Sequence, residues 1–187
     1  MKLILGSKSP RRREILGMVT KDFSVRVSEA DEGYDPTTPL DRVPRILAER
    51  KARAIPLEAD EIVIGCDTVV IYGGELMGKP TDKADAIRML STLSGTTHNV
   101  VSGICVRTQE KCYAESVTTY VKFRKLTRQE IEDYVNTANP VDKAGAYGIQ
   151  EAAGAFVEKI DGDFYNVVGL PLCRLCEILR DEFNYTL

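Results

Sequence analysis

The chain has 187 residues, 43% hydrophobic and 28% charged, with five cysteines, one histidine and no tryptophan. That length and balance suit a folded soluble globule rather than a disordered chain, and a formal net charge of −3 argues against a general nucleic-acid binder, which carries a basic face. Because His98 is the only histidine, a centre built from several histidines of one chain is excluded, and a hydrolytic metal has to rely on oxygen ligands.

The cysteines at 66, 105, 112, 173 and 176 are odd in number and irregular in spacing, which speaks against a complete disulfide framework and for a reducing compartment. Cys173 and Cys176 form a C-x-x-C, but Leu172, Leu175 and Leu179 around them read as a helical stripe, so they are expected to be ordinary helix thiols. The first apolar run is too short for a signal segment and nothing later approaches a membrane span, so a cytoplasmic protein without membrane contact is expected. No repeat or long linker divides the chain, and residues 1–187 read as a single domain.

Strand and helix signals alternate. Leu3–Leu5 is a short apolar strand, and Ser9-Pro10 supplies an N-cap and a first-turn proline for a helix through Ile15 and Leu16. Phe23, Val25 and Val27 alternate as a half-buried strand, and residues 28–41 read as loop. Val43, Ile46, Leu47 and Ala54 keep helical spacing; Ile62–Tyr72 is a long apolar run entering a hairpin at Gly73-Gly74. A helix is predicted over Thr81–Leu93, ended by Gly95, followed by an antiparallel pair over His98–Arg107 and Tyr113–Phe123. Thr127 and Glu130 have the spacing of a capping box for a helix to about Val135. Asn139–Gln150 reads as loop, Phe156–Ile160 as a strand, residues 161–163 as a turn, and Pro171 opens the last helix. The pattern predicts an α/β fold with a mixed central sheet flanked by helices.

Residues 1–13 hold five basic side chains and no acid, and Ser7-Lys8-Ser9-Pro10-Arg11-Arg12-Arg13 lies where a strand gives way to a helix. Unpaired N–H groups, hydroxyls and guanidinium groups there suit a phosphate chain, although the glycines of a Walker loop are absent; the other reading is a capped helix with a solvated arginine run. Asp67, inside the apolar run 62–71, is costly to bury unless it binds a cation, a metal or a reacting water, which is the setting of a general base; the other reading ends the strand at Gly65 and lets Asp67 bond backbone in a bulge. Lys51 and Lys79 can neutralise phosphate oxygens or simply sit in solvent, and Asp31 and Glu32 can offer oxygen ligands to Mg²⁺ or Mn²⁺ or form an ordinary acidic loop. His98 is expected to be a structural hydrogen-bonder rather than a catalyst.

In order, Ser7-x-Ser9-Pro10-Arg11-Arg12, Asp31-Glu32, Ala48-Glu49-x-Lys51-Ala52, Gly65-Cys66-Asp67-Thr68, Gly78-Lys79-Pro80, Leu93-Ser94-Gly95-x-x-His98-x-Val100, Asp142-Lys143-Ala144-Gly145-Ala146-Tyr147-Gly148-Ile149-Gln150 and Val168-Gly169-Leu170-Pro171 resemble the Maf family of nucleotide pyrophosphatases across almost the whole chain. The resemblance implies a fold similar to that of the inosine-triphosphate pyrophosphatases (Maf/Ham1), two lobes around a cleft, and the uninterrupted stretch from Asp142 to Gln150 looks like the branch acting on dTTP and UTP. It implies hydrolysis between the α and β phosphates with a divalent cation, Mg²⁺ or Mn²⁺, to give monophosphate and pyrophosphate.

The same resemblance assigns Asp67 as proton acceptor, Arg11, Thr68 and Gln150 to substrate choice, Ser7, Arg12, Lys51 and Lys79 to the phosphates, and Asp31, Glu32 and Asp67 to the metal. It makes a homodimer the expected assembly. Cys66 stands where the family usually has alanine, and an effect on packing rather than catalysis is expected. The rival expectations are the same reaction on another base, or a nucleotide-binding regulator of septum formation that does not need turnover.

Overall fold

In the computed structural model, which describes residues 1–27 and 29–187, the chain runs β1 (Lys2–Leu5), α1 (Pro10–Leu16), β2 (Phe23–Val25), α2 (Val43–Arg53), β3 (Glu61–Tyr72), β4 (Glu75–Met77), α3 (Lys83–Leu93), β5 (Thr97–Arg107), β6 (Cys112–Phe123), α4 (Arg128–Ala138), β7 (Val157–Asp161), α5 (Phe164–Val168) and α6 (Leu172–Phe183). The helix signals act as read: Ser9 accepts the Arg12 N–H with Pro10 in the first turn, and Thr127 and Glu130 close a reciprocal capping box.

Several elements differ from the sequence reading. The third helix starts at Lys83 because the Asp82 carboxylate caps it, and α4 continues to Ala138 until Asn139 turns left-handed. The stretch after residue 163 holds the short helix α5, which the sequence reading missed; the Asp163 carboxylate caps Tyr165 and Gly169 terminates it at φ 130°. Of the predicted loop 28–41, Ser28 lies outside the described residues, and the end of the loop tightens into a 3₁₀ turn at Leu40–Arg42.

The sheet is mixed, in the order β2-β1-β3-β5-β6-β7, with β4 hairpinned onto β3. Strand β1 is parallel to β2 and β3, and the other pairings are antiparallel. Along one edge β3 pairs first with β1 as far as Ile64 and then with β4 from Val70. Between those points, residues 65–69 have no strand partner on that edge among the described residues, while the opposite edge stays paired with β5 from Val63 to Ile71. This gap in the middle of a central strand is where the cleft opens.

Side-chain alternation sends Ile62, Ile64, Cys66 and Val70 into the larger core with residues of α1, α3, α4 and α6, and Val63 into a smaller core beneath α2 with Ile4, Ala48, Ala52, Ile55 and Cys105. Each fully buried Ile or Leu contributes about 1.5–3 kcal/mol of transfer free energy. Helix α2 can lie so low because Gly65 and Gly103 face it: a Cβ on Gly65 would meet the Ala52 methyl at 2.9 Å, and one on Gly103 would overlap the Pro44 carbonyl.

His98 is 1% exposed, packs edge-to-face on Phe123 and Tyr147, and shares a 2.8 Å hydrogen bond between Nε2 and the Tyr147 hydroxyl. It is a core hydrogen-bonder, as expected. Burial pushes its pKa from 6.5 down to about 4, since the imidazolium would lose its water. A folded-state pKa below the unfolded one means that the unfolded chain takes up the proton first. The contribution is therefore complete above the unfolded pKa and is lost as pH falls towards about 4, by about 2 kcal/mol between pH 7 and pH 5. As the lone histidine, its C2 proton is a single NMR signal, expected to titrate near pH 4 in the folded protein. A midpoint near 6.5 in that titration would contradict the burial argument.

Candidate active site

Nine of the ten residues that the resemblance assigns to the site, all but Asp31, line one cleft of about 1050 Å³. It lies over the unpaired stretch of β3, between the turn after β1 and the loop 142–150.

On one wall the chain leaves β1 after the Gly6 N–H has bonded the Ile64 carbonyl, and turns through Ser7 to the capped start of α1. Arg12 is then held by three acceptors: Nε donates to the Gly169 carbonyl at 2.8 Å, one terminal nitrogen to Ser7 Oγ at 3.1 Å and the other to Thr68 Oγ1 at 3.2 Å. All three acceptors are neutral. Arg12 has no carboxylate partner among the described residues, so a fixed guanidinium charge stands in the cleft without a counter-ion. The positive φ of Gly169 carries its carbonyl to this position.

The opposite face of β3 presents Asp67. The strand does not end or bulge at Gly65: Asp67 pairs in register with Gly103 of β5, and the alternative reading of a broken strand falls. Lys51, half-buried on α2, places Nζ 2.5 Å from Asp67 Oδ1 and 3.0 Å from Glu32 Oε1. Burial lowers the Lys51 pKa, but the charges and hydrogen bonds of Asp67 and Glu32 outweigh it, and the net shift is upward; hydrogen bonding to Lys51 lowers that of Glu32. The lysine thus stays charged between two carboxylates.

Asp31 is not brought to this group. Its carboxylate accepts the Gly33 N–H within its own loop and faces Arg50 at 3.5 Å. The residues that converge on one positive charge are Glu32 and Asp67. Two hard oxygen donors with room beside them match Mg²⁺ or Mn²⁺, which take one or two carboxylates and complete their shell with water and phosphate oxygens, so the donor set fits such an ion through these two residues. No group of three or more acidic, histidine or cysteine ligands occurs among the described residues.

The far wall is the loop 142–150, shaped by left-handed Gly145 and Ala146 and tied to the Lys79 segment by the Gly145 N–H on the Gly78 carbonyl at 3.0 Å. Arg11 faces Asp142 at 3.8 Å, and Gln150 is exposed at the mouth. Lys143 was not singled out in the sequence, yet it lines the cleft, buried, between Asp142 at 2.9 Å and Glu151 at 3.3 Å. Ser102 and Asn166 also escaped notice, although a serine within Val100–Ile104 of a central strand was the available signal. Cys66, expected to matter for packing alone, also donates its thiol to the Gly169 carbonyl at 3.1 Å. All five cysteines are free, with Cys173 and Cys176 on α6 as expected, and no described helix is long and apolar enough to cross a membrane.

Three kinds of likeness to known proteins accompany this geometry. The dTTP/UTP pyrophosphatase of Thermosipho africanus is 45% identical over 184 residues, covering 97% of this chain and 94% of its own. Those of Alkaliphilus metalliredigens, 45% identical and covering 100% and 98%, and Clostridium novyi, 46% identical and covering 97% of each, bear the same name. Among solved structures, a nucleoside-triphosphatase / dITP/XTP pyrophosphatase from Mycobacterium abscessus aligns with a TM-score of 0.41 at 13% identity, over 67% of this chain and 76% of that one. A family model described as "Maf-like protein" matches residues 2–182, and with relatives this similar along nearly the full length, the chain belongs to the Maf family.

Proposed function

We propose that this protein hydrolyses the pyrimidine nucleoside triphosphates dTTP and UTP between the α and β phosphates, releasing the monophosphate and pyrophosphate. The observation that carries the reading is a cleft with an uncompensated Arg12 on one wall and the Lys51-neutralised Asp67 on the other, in a chain about 45% identical to full-length dTTP/UTP pyrophosphatases. Phosphoryl chemistry asks for placed positive charge and a base for water, and the two walls supply these.

In this reading Arg12, Ser7 and Lys79 hold phosphate oxygens, and Asp67 accepts the proton of the attacking water while Lys51 holds its carboxylate in place. Arg11, Thr68 and Gln150 face the nucleoside; the Gln150 amide both donates and accepts, as a pyrimidine edge requires. Glu32 and Asp67 would hold the divalent cation, with Asp31 supporting the loop from outside. Such an ion, when bound, neutralises charge on the phosphates.

The whole chain acts as one domain in this proposal, as a homodimer in the cytoplasm, binding neither nucleic acid nor membrane. Five free thiols suit a reducing compartment, and the acidic net charge suits a small anionic ligand met locally rather than a polyanion. The test is a panel of nucleoside triphosphates with Mg²⁺ or Mn²⁺, assayed for pyrophosphate. Release from dTTP and UTP about tenfold or more faster, in kcat/KM, than from purine triphosphates is expected. A purine preference would overturn the substrate assignment, and phosphate in place of pyrophosphate would overturn the bond cleaved.

A further inference from the structure

Behind Arg12 a chain of hydroxyls runs from the cleft wall into the buried interior. Thr68 Oγ1, which accepts from Arg12, lies 2.8 Å from Ser102 Oγ; Ser102, on β5 and 0% exposed, lies 3.1 Å from the backbone carbonyl of Asn166 on α5. Asn166, equally buried, is pinned in turn: its side-chain amide donates to the Val100 carbonyl at 3.1 Å and to Thr119 Oγ1 at 3.0 Å. A buried polar chain of this kind is costly unless each link has its partner, and in this one Asn166 Oδ1 is left without one among the described residues.

The direction of the protons follows from the ends. A carbonyl only accepts, so Ser102 donates to Asn166 and must accept from Thr68. Thr68 then spends its one proton on Ser102 and turns a lone pair to Arg12. The guanidinium therefore meets a hydroxyl fixed as an acceptor, and it is aimed into the cleft by an arrangement anchored three residues away on two other elements.

We infer that Ser102 is a positioning residue for phosphate binding: through the Thr68 hydroxyl it fixes where Arg12 presents its charge. Without Ser102, the Thr68 proton has the Gly169 carbonyl as its remaining acceptor, 3.4 Å away, and that carbonyl already accepts from Arg12 Nε and the Cys66 thiol. The arginine then competes with a further donor for that oxygen, and its fork is no longer held in one orientation. This inference rests on the cleft binding a polyphosphate, as proposed above, but not on which bond is cleaved or which base is preferred.

The experiment is calorimetric titration of the full chain with inorganic tripolyphosphate in Mg²⁺ buffer, beside steady-state kinetics on dTTP, for wild type, Ser102→Ala, Thr68→Val and the double variant. Ser102→Ala is expected to weaken tripolyphosphate binding about fivefold to twentyfold and to raise KM by a similar factor while kcat stays within about threefold. Because Ser102 acts through Thr68, it should cost nothing further once Thr68→Val has removed the middle hydroxyl, which a merely structural role would not produce. Thr68→Val keeps the side-chain shape at a position open to the cleft, and it must weaken binding by itself even if Ser102→Ala fails to fold. Unchanged affinity in either single variant, additive losses in the double variant, or no binding of tripolyphosphate by the wild type overturns the inference. Binding that depends on Ser102 in a protein that hydrolyses no pyrimidine triphosphate would overturn the proposed function and leave the positioning role standing.

Discussion

Replacing Asp67 with asparagine is expected to lower the rate of pyrophosphate release by about 10²- to 10⁴-fold, the range a positioned general base contributes, while nucleotide binding changes by no more than a few-fold. The substitution keeps size and shape and removes the ability to take a proton; because it also removes a charge offered to Lys51 and to the cation, binding is measured at saturating Mg²⁺. It also leaves the surroundings intact: the strand register around residue 67 is set by backbone pairing with β5, and Lys51 retains Glu32 at 3.0 Å as a partner. Loss of kcat with retained affinity is the signature of a group that acts on the reacting water rather than on the resting substrate. Turnover within about threefold of wild type in Asp67→Asn would remove Asp67 from the mechanism and direct attention to Glu32, the other carboxylate on Lys51.

The role of Lys51 is worth separating from that of the base. A carboxylate standing alone beside approaching phosphates would be repelled by them. With its own pKa raised and that of Glu32 lowered, Lys51 stays charged beside the two carboxylates and offsets the repulsion. In the proposed function, balance of this kind lets a chain of net charge −3 receive a triphosphate. The field that matters is set within the cleft, by Arg12 on one wall and Lys51 on the other.

Much of the frame was legible because it rests on local rules. The cap at Ser9, the box at Thr127 and Glu130, the hairpin at Gly73-Gly74 and the long apolar run of β3 each have a short-range cause, and each appears where its residues stand. The cleft residues were legible through the resemblance and through one physical anomaly, a carboxylate in an apolar strand. What the sequence did not disclose depends on contacts far apart in the chain. Ser102 becomes meaningful only when β5 lies beside β3 and α5 folds over both; the sequence separations to Thr68 and Asn166 are 34 and 64 residues. The placement of Asp31 outside the carboxylate pair is likewise a loop property, decided by its turn onto Gly33 and by Arg50, and adjacent acids give no hint of which one faces inward. Helix α5 was missed because five residues are too few for a periodic signal.

Gly103→Ala is expected to be the most damaging small substitution in the protein, with a loss of about 3–5 kcal/mol in denaturant unfolding. The cause is backbone against backbone. A methyl at 103 would overlap the carbonyl carbon and oxygen of Pro44 and the amide nitrogen of Arg45, none of which can rotate aside as a side chain would. The first turn of α2 has to lift off the sheet, and with it goes the close packing of Ala48 and Ala52 over Val63 and Cys105. For a chain of this size the loss corresponds to a fall in melting temperature of roughly 6–20 °C. Activity should fall by more than the folded fraction explains, because Lys51 rides on the same helix and its 2.5 Å contact with Asp67, which lies opposite Gly103 in the sheet, depends on how low that helix sits. Gly78→Ala is the matching control: its Cβ enters open space and its φ is not in the left-handed region, so stability should be unchanged or higher by up to about 1 kcal/mol. If Gly103→Ala unfolds at the wild-type denaturant midpoint, the close seating of α2 on β5 is wrong, and the account of how Lys51 reaches Asp67 goes with it.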